Sequence, residues 1–86
     1  MKTKPSVEIT CDVIKLFKSD QIDVNNRADL HVVKWSSGRE RVLEKRRVWV
    51  REDGIIHFRQ LVGMTASDLD FVFEHQQEIE QALKGV

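Results

Sequence analysis

An α+β fold, four antiparallel strands followed by one C-terminal helix, is predicted by three features of the 86-residue chain. Side-chain character alternates with period two through residues 7–13 and again through 41–51, the mark of strands with two different faces. Ser36-Ser37-Gly38 and Asp53-Gly54 are turn signals that separate such stretches. Thr65-Ala66-Ser67-Asp68 is a capping box that opens an amphipathic run closed by Lys84-Gly85. The length suits a single domain over residues 1–86, with its core at about 28–84.

In the first strand, Val7, Ile9, Cys11 and Val13 alternate with Glu8, Thr10 and Asp12. The apolar phase then slips to Ile14 and Leu16, which predicts a β-bulge or bend near Val13-Ile14. A helix beginning near Pro5 competes here, since Val7, Cys11, Ile14 and Phe17 fit helical spacing; the many β-branched residues favour strand. Residues 20–26 read as a connection with a turn at Asn25-Asn26. Further strands are expected at 30–35, 41–51 and 55–64. The helix is expected to run unbroken over 66–84, about 28 Å at 1.5 Å per residue. Met64 and Leu69 occupy its two staple positions.

Net charge is zero, but its distribution is not even. Residues 27–59 carry a net +4 and residues 60–86 a net −4, so a polyanion would be drawn to the middle of the chain. The third strand concentrates this charge. Its odd positions are Arg41, Leu43, Lys45, Arg47, Trp49 and Arg51, while its even positions are mostly β-branched and suit a core. Lys34, Trp35, Arg39 and Arg59 are available from neighbouring strands to extend the odd face. Cations that track phosphates beside rings that stack bases fit an unpaired polynucleotide, whose base faces are open. The bland reading is that both tryptophans are core residues with their N–H groups satisfied.

On the helix, Leu69, Val72, Phe73, Ile79, Ala82 and Leu83 follow helical spacing, with Phe71 outside the stripe. That surface is wider than one contact needs, which predicts a helix that covers its own sheet and also meets a second copy. Leu69, Val72, Phe73, Ile79 and Leu83 are the expected dimer residues.

No enzyme is expected. Ser36, Ser37 and Ser67 lack a nucleophile motif, and there is no Walker loop or GxGxxG. The single cysteine, Cys11, excludes an internal disulfide, and His31, His57 and His75 lack metal-ligand spacing, so neither metal nor cofactor is expected. The start MKTKPSVEIT does not read as a secretory signal, and no apolar run is long enough to span a membrane. An intracellular location is the expectation: cytoplasmic or nucleoid-associated, or nuclear in a eukaryote.

The segment from Val33 to Leu83 resembles the transcriptional coactivator family called positive cofactor four, with its bacterial and viral relatives. Trp35 with Gly38 and Arg39 is similar to the family's aromatic turn, Arg46 and Trp49 to the Arg and Trp of the following strand, Glu52-Asp53-Gly54 to its hairpin, and Val62-Gly63-Met64-Thr65 to its helix start. Val62 stands where the family often has Lys or Arg, and two serines lengthen the turn after Trp35. The resemblance implies curved four-stranded antiparallel sheets paired as a homodimer through C-terminal helices. It also implies single-stranded DNA binding with little sequence preference, in the service of transcription, replication or recombination. It favours Arg46 as a strand contact, whereas alternation favours Arg47. The expected partners are therefore single-stranded DNA, with RNA or melted duplex as related ligands, a second copy of the chain, and transcription or replication proteins. The alternative from a different class is a protein-interaction adaptor working through a strand edge or the acidic helix; a structured-RNA or duplex binder is a further one.

Overall fold

The computed structural model describes residues 10–85. Strands β1 (Cys11–Gln21), β2 (Asn26–Trp35), β3 (Val42–Val50) and β4 (Ile56–Leu61) form one antiparallel sheet in sequence order, followed by helices α1 (Ala66–Glu74) and α2 (Gln76–Lys84). The α+β class and the four-stranded antiparallel sheet match the expectation. Pro5, Val7 and Ile9, on which the competing helix and the first alternation rested, lie outside the described residues; from Cys11 onward the chain is strand.

β1 carries two irregularities. Its pairing passes from Val13↔Val33 to Lys15↔Val32, and from Leu16↔His31 to Lys18↔Leu30. Ile14 and Phe17 are thus left without partners, as in bulges, and this is why the apolar phase of the sequence slips. The bulge at Ile14 was expected and that at Phe17 was not. Together they bring Lys15 and Lys18 to the same sheet face as Val32 and Leu30.

The connection expected at 20–26 is shorter, because β1 runs to Gln21 and β2 starts at Asn26. Polar Asn26-Arg27-Ala28-Asp29 resembles a turn in sequence. It is strand because Asp29, buried, accepts from Ser19 Oγ at 2.6 Å and from Arg27 Nε at 3.1 Å. β4 ends at Leu61 instead of reaching Met64.

The single helix expected over 66–84 is two helices meeting at His75, whose φ of −110° and ψ of 20° depart from helical values. The hydrogen-bond ladder still passes through the bend: His75 N–H donates to the Phe71 carbonyl and Ile79 N–H to that of His75, both at 3.0 Å. The two halves are held by different means. α1 is tied down at its first turn by the buried Asp68, while α2 inserts Ile79 against β2 and β3. The bend lies where one mode of attachment gives way to the other. The capping box at Thr65 and Asp68 is present as expected, and Gly85, in the left-handed region at φ 79°, closes α2 with its N–H on Gln81 O.

The buried apolar set among the described residues is small: Ala28, Leu30, Val32, Val33, Val48 and Ile79. Four polar residues, Asp29, His31, Lys45 and Asp68, are buried with them. Every such group finds a partner, since no buried side-chain N or O atom among the described residues lacks one.

Cross-strand partners share a face, so the unbroken β2–β3 register sorts the sheet. Leu30, Val32, Leu43, Lys45, Arg47 and Trp49 lie on the side that bears the helices. Val33, His31, Glu44, Arg46 and Val48 lie on the other. The odd face of β3, expected to be open, is therefore the one the helices cover in part. Leu43 and Lys45 are the reason: the first is apolar, and the second carries the charge that receives Asp68.

Candidate nucleic-acid interface

The ten expected contact residues divide into three groups. The first is absorbed by the fold. Lys45, in mid-β3, is buried with its Nζ 2.5 Å from Asp68 Oδ2, and Lys18 Nζ reaches Asp68 Oδ1 at 2.9 Å. Burial pushes the Asp68 carboxyl up, but hydrogen bonds from Lys45, the Thr65 N–H and Lys18 overcome it and hold the group below the usual carboxylate range. Arg41 lies at the far end of α2, donating from Nη1 to the Ala82 carbonyl at 3.1 Å. A cation there complements the carbonyl end of a helix. A Cβ at Gly85 would stand 3.4 Å from the Arg41 guanidinium carbon, an ordinary contact, so it is the positive φ that calls for glycine here.

The second group is on the sheet face away from the helices. Glu44 accepts from Arg46 Nε at 2.8 Å, Arg46 Nη2 at 3.2 Å and Trp35 Nε1 at 3.3 Å, and pairs with His31 Nε2 at 3.1 Å. Arg46 lies over the Trp35 ring at 4.8 Å and donates to the Arg59 carbonyl. Phe58 meets Trp35 edge-on at 5.8 Å. Burial pushes Glu44 up, but the Arg46, His31 and Trp35 hydrogen bonds leave its carboxyl below the ordinary range. Cys11, paired across from Trp35, is driven the other way: burial and the Glu44 charge push its thiol up to about 11, which leaves no thiolate nucleophile at neutral pH. Trp35 and Arg46 are thus a ring and a cation already satisfied by a shared carboxylate.

The third group stands open. Arg47 and Trp49 are successive on the helix-bearing face of β3, and both are half-buried. With Asn26, Arg59 and Gln60 they line an open depression of about 320 Å³. Trp49 is half-buried, and the His57 ring lies 5.2 Å away at an interplanar angle of 34°. A second depression of about 380 Å³ continues past Trp49 along Asn25, Val50, Arg51, Glu52 and Asp53. Arg51 is engaged by Asp53 at 3.1 Å, whereas Arg47 and Arg59 have no carboxylate within 4.0 Å among the described residues. Lys34 donates to the Gly38 carbonyl at 2.8 Å. With Arg39 it borders a separate hollow near the end of α2.

The two tryptophans expected on one surface are therefore on opposite faces of the sheet, each with its own arginine: Arg46 with Trp35, Arg47 with Trp49. Their register explains it. In β2, Trp35 shares a face with Val33 and His31, and the latter is opposite Glu44, while Trp49 is opposite Asn26. Sequence reasoning missed Asn26, Gln60 and Glu44 as neighbours of the rings, and noted of His57 only that it lacks metal-ligand spacing. The one signal for His57 was its position three residues after Asp53-Gly54, which sets it opposite Trp49 across the hairpin.

Among the described residues no group of three His, Cys, Asp or Glu is placed to hold a metal ion, and no helix is long and apolar enough to cross a membrane. In comparisons with family models, with curated proteins and with solved structures, the chain matches none.

Proposed function

We propose that the protein binds single-stranded DNA, without marked sequence preference and without catalysis, at the Arg47–Trp49–Arg59 surface. One observation carries this reading: a half-buried indole faces a depression flanked by two guanidinium groups with no carboxylate within 4.0 Å among the described residues. Phosphates take the cations and a base stacks on the ring. The resemblance to positive cofactor four supports the same conclusion from the order of elements. Trp35 and Arg46 act here as a held pair that shapes the sheet, with DNA contact centred on Trp49.

The same reading includes a homodimer built through α1. Leu69 and Phe73 are 66% and 78% exposed, and Met64 beside them is exposed too. Burying a Phe or Leu side chain gains roughly 1.5–3 kcal/mol each, so a second copy seated on this face would be stabilised. Ile79 is already occupied against the sheet, which leaves Leu69 and Phe73 as the main contacts. Acidic Asp70 and Glu74 on the same helix favour the second reading, an adaptor whose α1 docks on a basic protein.

Fluorescence anisotropy with labelled oligo-dT and with duplex at equal nucleotide concentration tests the primary reading. The single strand binds more tightly, and Trp49→Ala weakens it by roughly 1–3 kcal/mol. Equal affinity of mutant and parent removes Trp49 from the site, and absence of binding at moderate salt supports the adaptor.

A further inference from the structure

The turn between β1 and β2 carries two β-branched residues at its apex. Val24 is 92% exposed, the most of any large apolar side chain among the described residues, and Ile22 is 50% exposed. The turn is nevertheless tightly built. The N–H groups of Ile22 and Asp23 donate to the Asn26 carbonyl at 2.9 and 3.1 Å. Asp23 Oδ1 accepts from the N–H groups of Asn25 and Asn26 and from Asn26 Nδ2, each at 2.9 Å. Val50 N–H donates to the Asn25 carbonyl at 2.7 Å and so fastens the turn to β3. Val24 is held out by a hydrogen-bonded frame in which its own side chain has no part.

That frame adjoins the Trp49 surface. Asn26 is paired directly opposite Trp49, and Asn25 shares a depression with it. The Arg47 charge is close enough to help lower the Asp23 carboxyl, after the larger contributions of the Asn26 side chain and Asn25 N–H. Of the carboxylates around the apex, Asp53 is paired with Arg51, Asp23 accepts only from neutral N–H groups of the turn and keeps its charge, and Glu52 lines the same depression as Asn25. A single apolar side chain on a surface needs no explanation. Two of them at a fixed apex, two residues along the chain from the cross-strand partner of Trp49, match the way proteins wedge apolar groups against stacked bases.

We infer that the Ile22–Val24 apex is a wedge that stacks against the last base pair of a duplex where it opens into the single strand held at Trp49. This rests on the single-strand reading given above and adds to it a preferred substrate, the single-strand to double-strand junction.

The test compares the wild-type chain with an Ile22→Ser/Val24→Ser variant, whose backbone frame is unaltered and whose folding is checked by circular dichroism and thermal melting. Binding is measured to an oligo-dT arm alone and to a fork that carries the same arm, with 2-aminopurine in the terminal pair. The wild type binds the fork at least about fivefold more tightly than the arm, a difference of about 1 kcal/mol, and brightens the 2-aminopurine. The variant keeps its affinity for the arm and loses both the preference and the brightening. A variant that retains the preference, or a wild type that binds fork and arm equally, overturns the wedge while leaving the single-strand reading intact; the latter result points to a protein partner for the apex. A wild type that does not bind oligo-dT overturns both.

Discussion

Lys45 and Asp68 form an ion pair inside the protein, with Nζ 2.5 Å from Oδ2 and the carboxylate wholly shielded from solvent. It joins the middle of β3 to the first turn of α1, and Lys18 of β1 completes it from the other side at 2.9 Å. Asp68 also closes the capping box of α1 through Thr65. One carboxylate therefore fixes where the helical segment starts and how it sits on the sheet.

Removing one member of a buried pair leaves the other charge without compensation, at a cost of about 3–5 kcal/mol. Asp68→Ala strands two lysines and removes a cap, so urea unfolding should show a loss at the upper end of that range. Lys18→Ala should cost much less, since Lys18 is partly exposed and Lys45 remains in place. Equal losses in the two variants would show that Asp68 acts through Lys18, and not through Lys45 and the cap.

Acid should undo the same connection. Asp68 and Glu44 both have carboxyls held below their ordinary values in the folded protein. The unfolded chain then binds protons at a higher pH than the folded one does. Stability is complete above the ordinary carboxylate values, about 4, and falls as the pH drops through the lower folded-state values. Thermal melting as a function of pH should show this decline. Asp68→Asn, already destabilised at neutral pH, should show a smaller further decline.

Glu44 orders the opposite face. Glu44→Ala leaves Trp35 Nε1 without its carboxylate and releases Arg46, so a loss of roughly 1–3 kcal/mol in unfolding free energy is expected. Its fluorescence signature is specific, since a less ordered Trp35 should emit at longer wavelength while Trp49, on the other face, keeps its spectrum. A shift confined to Trp49 would contradict the separation of the two rings.

The sequence made the sheet, its turns and the capping box legible because each rests on local chemistry: alternation, Gly at a turn, Thr and Asp three residues apart. It did not reveal which face of β3 the helices cover. Alternation says only that Lys45, Arg47 and Trp49 point one way. Whether that way is solvent depends on Asp68, twenty-three residues further along, which reads as a cap and serves as a counter-ion too. Trp35 was grouped with Trp49 because both lie near cations in sequence; the β2–β3 register, a non-local property, sets them apart. The bend at His75 had no proline or glycine to announce it.

Arg47 and Arg59 supply the unpaired charge of the site, so they should also set its salt dependence. For single strands the slope of log K against log salt changes by ~0.7 per phosphate contact. Arg47→Ala and Arg59→Ala should each flatten the slope by about that amount, while Arg41→Ala, which removes a guanidinium bound to the end of α2, should leave it unchanged. A flattening in Arg41→Ala alone would move the phosphate path to the other end of β3.

The most direct measurement uses a Trp35→Phe chain, in which Trp49 is the sole indole, titrated with oligo-dT at low salt. Stacking of a base on Trp49 should quench its emission in step with binding followed independently by anisotropy. Saturated binding with undiminished Trp49 emission would contradict the account, because the strand would then be held somewhere other than on this ring.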